Sequence, residues 1–359
     1  MPPARAYHIR AVLSGRSLAQ ALRGLIRDLT WNDAKRLIAT RRVSVNGNLC
    51  LDEGRRVQTG DVVHVFDNPR PTPPKPEDIR ILYLDEHLLV CEKPAGVTTL
   101  RHAEERDWPD RRKQKQPTLD ELLQQRVDAR FSTADTPASR RSRAARSSPP
   151  AVQGGVIRRG PRGVRVRPVH RLDRDTSGLM VFALSPVAEQ ALIAQFKDHA
   201  VRRVYHAVVH GRPRAMTIES HLVRDRGDGL RGSIADASPP PDAQRAVTHL
   251  RPIESFADYS VVECTLETGR THQIRIHLAE AGHMLCGERT YLRPRPGAEA
   301  VVDRSGAPRQ ALHSATLAMT HPVTGQPLSF TSAWPPDLAA WLRRLKGEGK
   351  SRDSDARSR

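Results

Sequence analysis

The chain is poor in cysteine and in aromatic residues, and it has no long apolar run. Its cysteines lie far apart and none forms a Cys-x-x-Cys pair, which argues against a disulfide framework and against a zinc cage. They are Cys50, Cys91, Cys264 and Cys286. No stretch approaches the roughly 18 apolar residues that cross a bilayer, and the first residues lack the layout of a secretory signal. We therefore expect a cytoplasmic protein with no membrane partner and no metal.

Acidic residues are outnumbered by basic ones. The 359 residues include 58 Lys and Arg against 40 Asp and Glu, which gives a formal net charge of +18. Such an excess is typical of proteins that bind a phosphate polymer, and it indicates a nucleic acid as the partner. A solvated arginine-rich surface without a partner is the alternative interpretation.

Residues 15–67 have the pattern of a small α/β domain. Ser17 can cap a first helix, and a second helix is predicted from about Asn32. The dipeptide Asn46-Gly47 predicts a β-hairpin, and a further strand is expected at 62–66. Four basic residues lie near the junction of the second helix and the hairpin: Lys35, Arg36, Arg41 and Arg42.

The rest of the chain divides around a proline-rich segment. Residues 1–14 are expected to form an N-terminal arm, and 68–78 a stiff linker, since prolines fix several φ angles there. A larger domain follows over 79–345, with a basic insertion at about 101–167. The polar residues 346–359 are expected to be a disordered tail.

The insertion carries half of the net charge of the chain. Residues 101–167 contain 17 Lys and Arg against 8 Asp and Glu, and 138–167 contain nine arginines and no acidic residue. A short helix is predicted from Thr118 to Arg126, where leucines recur, and the remainder reads as a disordered loop. This loop is either a phosphate-binding arm or a solvated insertion.

One carboxylate stands out in the second domain. Asp173 lies between Arg171 and Arg174, directly before the apolar run 179–184, which predicts a buried strand. Two flanking arginines keep a carboxylate ionised, so Asp173 is a candidate nucleophile.

Further along the chain, residues 201–211 alternate as a strand that places Arg203 and Tyr205 on one face. Only 15 residues of the chain are aromatic, so a tyrosine beside a nucleophile would offer a flat surface on which a base can stack. Tyr205 is otherwise an ordinary core residue of a strand.

The segment 266–279 predicts a strand end, a turn and a helix. Thr271 is the expected N-cap, and Arg270 and Arg275 would give positive potential near the helix N-terminus, suited to a phosphate or a carboxylate. The alternative is a charged surface helix. His272 and His277 lie five residues apart and do not share a helix face, so they do not indicate a metal site.

These motifs resemble those of the RluA-type pseudouridine synthases. The similarity rests on His-Arg-Leu-Asp-Arg-Asp-Thr-Ser-Gly at 170–178, on Gly-Arg-Thr-His-Gln-Ile-Arg-x-His at 269–277, on Lys-Pro-Ala-Gly at 93–96 and on segments around 282–287 and 312–325. The motifs occur in the family's order over about 79–345. Glu288 stands where that family usually has Asp, and Leu292 where it often has Gly.

The resemblance implies an α+β fold, with a mixed, mainly antiparallel sheet and flanking helices around a central cleft. It implies an RNA pseudouridine synthase that needs no cofactor, with Asp173 as nucleophile, Arg275 as its ion-pair partner and Tyr205 against the flipped uracil. It further implies that seven residues shape the loop or bind substrate: Lys93, His170, Arg171, Thr176, Arg270, His272 and Gln273.

The pattern of 15–67 resembles an S-four-type RNA-binding domain, named after a ribosomal protein, although Trp31-Asn32 replaces the usual Ser-Arg at the start of the second helix. Within the family this combination resembles enzymes that act on large-subunit ribosomal RNA, so that RNA is the expected substrate and a monomer the expected state. Transfer RNA remains an alternative substrate.

Two other classes of function stay open. A non-catalytic RNA-binding or ribosome-assembly protein on the same fold would explain the charge, but it would not require Asp173, Tyr205 and Arg275 together. A hydrolase using Ser177 with a histidine would need a nucleophile elbow of the Gly-x-Ser-x-Gly type, which Ser177 lacks.

Overall fold

The computed structural model of the chain describes residues 5–45, 48–67, 69–70, 72–101, 105–107, 110–133, 164–234 and 239–357. The chain forms two units, of which unit 1 comprises 1–73 and 109–116, and unit 2 comprises 74–108 and 117–359. The division after Pro73 falls inside the predicted linker. No helix among the described residues is long and apolar enough to cross a bilayer.

Unit 1 is built from a four-stranded antiparallel sheet and short helices, counted over its described residues. The strands are β1 (Arg5–His8), β2 (Val43–Val45), β3 (Asn48–Leu49) and β4 (Val62–Val65), in the order β1-β4-β2-β3. The α-helices are α1 (Leu18–Leu25), α2 (Trp31–Ala39) and α3 (Asp110–Lys115), with a 3-10 turn at Ala11–Leu13. Leu18, Leu22, Ile38 and the strand valines form its core.

Local signals explain most of unit 1. Ser17 Oγ accepts a hydrogen bond from the backbone N–H of Gln20, as predicted, and Thr30 caps α2 one residue earlier than expected. β2 and β3 pair antiparallel, while the predicted turn Asn46-Gly47 lies outside the described residues. β1 lies in the predicted N-terminal arm, and its pairing with β4 makes residues 5–8 part of the sheet.

Unit 2 contains a mixed sheet of eleven strands over its described residues, in the order β11-β10-β12-β13-β9-β14-β8-β6-β5, with β15 beside β14 and β7 beside β8. The strands are β5 (Arg80–Leu84), β6 (Leu88–Lys93), β7 (Arg167–Pro168), β8 (Ser177–Ala183), β9 (Arg202–His210), β10 (Met216–Val223), β11 (Gly232–Ile234), β12 (Gln244–Phe256), β13 (Tyr259–Leu266), β14 (Leu312–Thr320) and β15 (Pro327–Thr331). The helices are α4 (Leu119–Thr133), α5 (Pro186–Lys197), α6 (Gln273–Glu280) and α7 (Pro336–Arg357), with a 3-10 turn at Pro76–Asp78.

The pairing of the strands confirms the α+β class. β14 and β8 run parallel, whereas the other strand pairs in the described part of this sheet run antiparallel. β8 is buried along its whole length. Because side chains alternate across a strand, Met180 and Phe182 lie in one core, and Leu179 and Val181 in the core on the other face.

Two segments differ from their sequence expectations. α4 runs from Leu119 to Thr133, seven residues beyond the predicted end at Arg126. Its Leu119, Leu123 and Val127 are buried in the main core, so this part of the insertion belongs to the fold. The rest of the basic loop, 134–163, lies outside the described residues. The backbone of 346–357 continues the last helix, where the polar composition had favoured a disordered tail.

Candidate active site

Asp173 lies in the loop that leads from β7 into β8. Its neighbour Leu172 is buried, and the Thr99 hydroxyl donates to the Leu172 carbonyl at 2.9 Å, which fixes the loop on the core. The Asp173 side chain keeps 18% of its surface exposed. The loop backbone is therefore fixed on the core, while the Asp173 carboxylate remains accessible to a substrate.

Arg275 lies opposite this carboxylate, in the first turn of α6. Its Nη1 is 3.4 Å from Asp173 Oδ2, and its side chain is 9% exposed. The same guanidinium binds Glu288 through two shorter contacts, Nε to Oε2 at 2.8 Å and Nη2 to Oε1 at 2.6 Å. Because Glu288 takes the strong bidentate pair, Asp173 receives only the one remaining, longer contact.

Glu288 is the buried counter-charge of the site. Its side chain is 1% exposed and also accepts hydrogen bonds from the backbone N–H groups of Arg289 and Thr290. Burial alone would raise the pKa of Glu288, but the charge and hydrogen bonds of Arg275, with those backbone donors, outweigh it and lower the pKa to about 2. The motif comparison marked Glu288 only as a departure from the usual Asp. Glu288 stands between Gly287 and Arg289, so its sequence neighbours do not distinguish it from a surface carboxylate.

His272 lies on the other side of Asp173. Its Nε2 is 3.8 Å from Asp173 Oδ1, while its Nδ1 is hydrogen-bonded to the Tyr291 hydroxyl at 2.7 Å. Burial lowers the pKa of His272, and this effect outweighs the charge of Asp173, which raises it. The neutral imidazole is therefore favoured. The Tyr291 ring also packs under Arg275, with the guanidinium carbon 5.1 Å from the ring centroid.

The start of α6 differs from the expectation. His272, not Thr271, is the N-cap, and it has a left-handed backbone with φ 60° and no side-chain cap. The Gln273 side chain closes the turn instead, because its Oε1 accepts from the Arg270 backbone N–H and from the Thr268 hydroxyl. The left-handed backbone of His272 places its own ring on the side of the turn that faces Asp173.

Tyr205 is 7% exposed on β9, on the same core face as Ile274 of α6. Burial raises the pKa of its hydroxyl, so Tyr205 stays neutral. Arg203 is also buried; its Nη2 donates to the Glu267 carbonyl at 2.9 Å, and its Nε has no hydrogen-bond partner among the described residues. Arg203 therefore lies beside the site without a carboxylate partner in the described chain.

The side chains of four predicted substrate-binding residues point into the protein interior. The Lys93 ammonium donates to the carbonyls of Pro94, Val97 and Arg174, and its burial lowers its pKa to about 7. Gln273 and Thr176 are each 2% exposed and bonded internally. His170 accepts from the Val181 N–H through Nε2 and stacks on Phe196. These side chains build the loop and its support.

Two of the predicted substrate-binding residues face solvent. Arg171 has no hydrogen-bond or ion-pair partner in the described part of the chain, and Arg270 uses its Nε on the Arg245 carbonyl at 3.0 Å. Both side chains are exposed. Guanidinium groups at the rim of a carboxylate site are suited to RNA phosphates.

Two residues that sequence reasoning missed fix the far end of the Asp173 loop. Arg309 donates to the Asp175 carbonyl at 2.9 Å and to the Ser177 hydroxyl at 3.0 Å, while it pairs with Asp337 of α7 at 2.7 Å. Gln310 donates to the Thr176 hydroxyl at 2.7 Å. Both lie about 130 residues from the loop in sequence, so no local pattern indicates the contact.

Ser177 does have a histidine partner, but the pair is buried. Ser177 Oγ lies 3.0 Å from His313 Nδ1, and each residue is 2% exposed. The other ring nitrogen of His313 bonds to the Ser332 hydroxyl rather than to a carboxylate. A substrate cannot reach this serine, so the geometry disfavours the hydrolase alternative.

One group of potential metal donors occurs among the described residues. His210, Cys286 and Asp303 place their donor atoms within 4.8 Å of one another. The Asp303 oxygens are already used by His210 and by the backbone N–H groups of Gly287 and Ser305. These contacts connect the 287–305 loop to β9, so the three residues have a structural role that requires no metal.

The basic residues predicted to bind RNA lie on or just after α2 in unit 1. Arg36 is 74% exposed and pairs with Asp33 at 2.7 Å, and Lys35 pairs with Glu53 at 3.2 Å. Arg41 and Arg42 donate through Nε to the carbonyls of Arg70 and Phe66. The latter two arginines thus also hold the chain that follows β4.

Comparison with known proteins identifies the family of the chain. The family described as RNA pseudouridylate synthase matches residues 87–280. Ribosomal large subunit pseudouridine synthase D of Zymomonas mobilis is 34% identical over 336 residues, covering 92% of this chain and 94% of that protein. The protein of the same name from Neisseria meningitidis serogroup A is 41% identical over 184 residues, covering 50% of this chain and 48% of that one.

A solved structure has the same fold. Human RNA Pseudouridylate Synthase Domain Containing 1 superposes with a TM-score of 0.50 at 22% sequence identity, covering 76% of this chain and 90% of the human one. The family itself is shown by the match over more than half of the chain and by the Zymomonas mobilis relative. The chain belongs to the RNA pseudouridylate synthases and is an RNA pseudouridine synthase.

Proposed function

We propose that this enzyme converts uridines of large-subunit ribosomal RNA into pseudouridine, with Asp173 as the nucleophile. The observation that carries the assignment of the site is the chain of charges from Asp173 to Arg275 to Glu288. The ribosomal target is supported by the names of the two relatives described above.

The reaction is an isomerisation at the sugar. The bond between N1 of uracil and C1′ breaks, the base turns in the site, and C5 bonds to C1′; the proton on C5 is lost and N1 gains one. Asp173 can begin this by attacking C1′ or by assisting loss of the base through a glycal intermediate. Both routes need an ionised carboxylate within reach of the sugar.

The surrounding residues supply that condition. Arg275 stabilises the Asp173 charge through one contact, while Glu288 keeps the guanidinium from closing over the carboxylate. Tyr205 is placed to pack against the base, and neutral His272 to orient the sugar or carboxylate. Arg171 and Arg270 would bind phosphates at the rim, where the flipped nucleotide leaves its stack.

We further propose that unit 1 is an S-four-type RNA-binding domain that acts through Lys35, Arg36, Arg41 and Arg42. The enzyme would work as a monomer in the cytoplasm, where its ribosomal substrate is assembled. Size-exclusion chromatography with light scattering tests the monomeric state, since a mass of about twice 40.0 kDa would contradict it.

The decisive experiment maps pseudouridines in cells that lack the gene. Ribosomal and transfer RNA are treated with carbodiimide and read by primer extension, with complementation by wild type or by Asp173→Asn. A large-subunit stop that disappears on deletion and returns only with wild type supports the proposal. Loss of a transfer RNA stop instead would show that transfer RNA is the substrate. Restoration of the stop by Asp173→Asn would show that Asp173 is not the nucleophile.

A further inference from the structure

Trp31 is an aromatic side chain on the surface of unit 1. It is the first residue of α2 and is 39% exposed, and it is the one aromatic among the exposed large apolar side chains of the described residues. A tryptophan in contact with water forgoes a large gain from burial. The exposed part of the ring is accessible to a ligand.

Two cations lie beside this ring. Arg23 Cζ is 5.7 Å from the ring centroid, and Lys35 Nζ is 5.6 Å from it. Both distances are within the range of cation–π attraction. Arg23 comes from α1 and Lys35 from one turn further along α2, so the two helices together place two cations beside one indole. Lys35 also pairs with Glu53 at 3.2 Å.

The surroundings favour an anionic polymer as the occupant. Residues 5–73 contain 12 Lys and Arg against 6 Asp and Glu. An aromatic face beside cations is the combination with which proteins hold unpaired nucleotides, because the base stacks while its phosphate meets the charge. A protein partner with an apolar patch would gain nothing from the two cations.

We propose that Trp31, together with Arg23 and Lys35, stacks against an unpaired base of the RNA substrate. The inference rests on the proposed RNA-binding role of unit 1 and adds a stacking contact to it. It also gives a reason for the Trp-Asn that begins α2 in this chain, in place of the Ser-Arg of the related pattern. The contact would recognise single-stranded RNA without selecting a base.

The test measures affinity for an oligocytidylate 15-mer by fluorescence anisotropy, with the full-length protein. This probe has no uridine for the catalytic site. Because one base–aromatic stack is worth about 5- to 100-fold in affinity, Trp31→Leu should weaken binding by that factor, and Trp31→Phe by much less. Affinity for a 20-base-pair RNA duplex should stay unchanged, since its bases are stacked within the helix.

The matched charge control is Arg23→Gln against Arg27→Gln. Both remove one positive charge from the same unit, but Arg27 is 96% exposed, and its one ion pair within the described residues is with Asp28, at 4.0 Å. Arg23→Gln should weaken binding to the oligocytidylate several-fold more than Arg27→Gln. Equal effects, or unchanged affinity of Trp31→Leu, would overturn the inference. Pseudouridine formation by wild type is scored separately, so failure of the stacking contact would leave the catalytic proposal standing.

Discussion

At the scale of single residues, the site depends on how one guanidinium is shared. Arg275 gives its Nε and Nη2 to Glu288 and only Nη1 to Asp173, at 3.4 Å. An arginine locked onto Asp173 by two short bonds would stabilise the carboxylate and also block its approach to C1′. In the proposed mechanism, the buried Glu288 acts on Asp173 through Arg275, as a positioning residue.

Replacement of Asp173 by Asn should abolish turnover without loss of RNA affinity. The amide keeps the shape and the contact with Arg275 but is not a nucleophile, so we expect a fall in kcat of at least about a thousandfold. Single-turnover tritium release from C5-labelled uridine RNA measures the rate, and anisotropy measures the binding. A parallel loss of affinity would mean that Asp173 acts in binding.

Glu288 makes a testable contribution to stability against pH. Its folded pKa of about 2 lies below its ordinary value of 4.5, so the ionised form stabilises the fold above pH 4.5, and this stability is lost as the pH falls toward 2. The shift corresponds to about 3 kcal/mol. Urea unfolding from pH 7 to pH 3 should show a smaller acid loss for Glu288→Gln than for wild type.

Glu288→Asp serves as the matched variant, since it keeps the charge but shortens the reach to Arg275. If Glu288 acts by positioning Arg275, Glu288→Asp should retain acid-dependent stability and lose mainly kcat, with KM little changed. An unchanged kcat in both variants would limit Glu288 to a purely structural role.

At the scale of elements, β8 and the helices around it carry the loop of Asp173. The apolar run 179–184 was sufficient to predict β8, because the burial of a strand is visible in its local composition. The parallel pairing of β8 with β14 and the contacts of Arg309 to the loop join residues about 130 positions apart. No periodicity contains them, and only the family resemblance indicated that the motifs meet.

The close approach of β8 and β14 predicts a strict need for glycine at 178. Gly178 has φ 115°, and a Cβ there would lie 2.2 Å from the Ser314 carbonyl oxygen. Gly178→Ala should cost about 3 kcal/mol or more in unfolding free energy. Gly325→Ala is the control, because Gly325 also has positive φ, 73°, but nothing lies within 4 Å of its Cβ position. Similar losses for both would show that φ strain alone matters.

α4 should contribute to the stability of unit 2 although it comes from the insertion. Leu123 is fully buried in the main core, so Leu123→Ala should reduce the free energy of unfolding by about 2–5 kcal/mol. Gln125→Ala, at an exposed position of the same helix, should change it by less than about 0.5 kcal/mol. Equal small effects would mean that α4 is dispensable for the fold.

At the scale of the whole molecule, the net charge of +18 dominates the encounter with RNA. Every phosphate neutralised releases counterions, so affinity should fall steeply with salt, with a slope of about −0.7 in log K against log salt for each single-strand phosphate. We expect at least a tenfold loss between 50 and 200 mM KCl. An uncharged osmolyte at equal osmolality should leave affinity unchanged, and a salt-independent affinity would contradict an electrostatic mode of binding.

The position of helix α3 in the sequence limits how unit 1 can be exchanged between genes. It lies at 110–115, beyond the first strands of unit 2, and yet it belongs to unit 1, where the Gln116 amide donates to the Leu49 carbonyl at 2.7 Å. A transfer of residues 1–73 to another gene would thus carry four strands and two helices and leave α3 behind in the donor gene. Unit 1 therefore cannot be exchanged as one continuous segment, and a complete graft must carry residues 109–116 as a second piece.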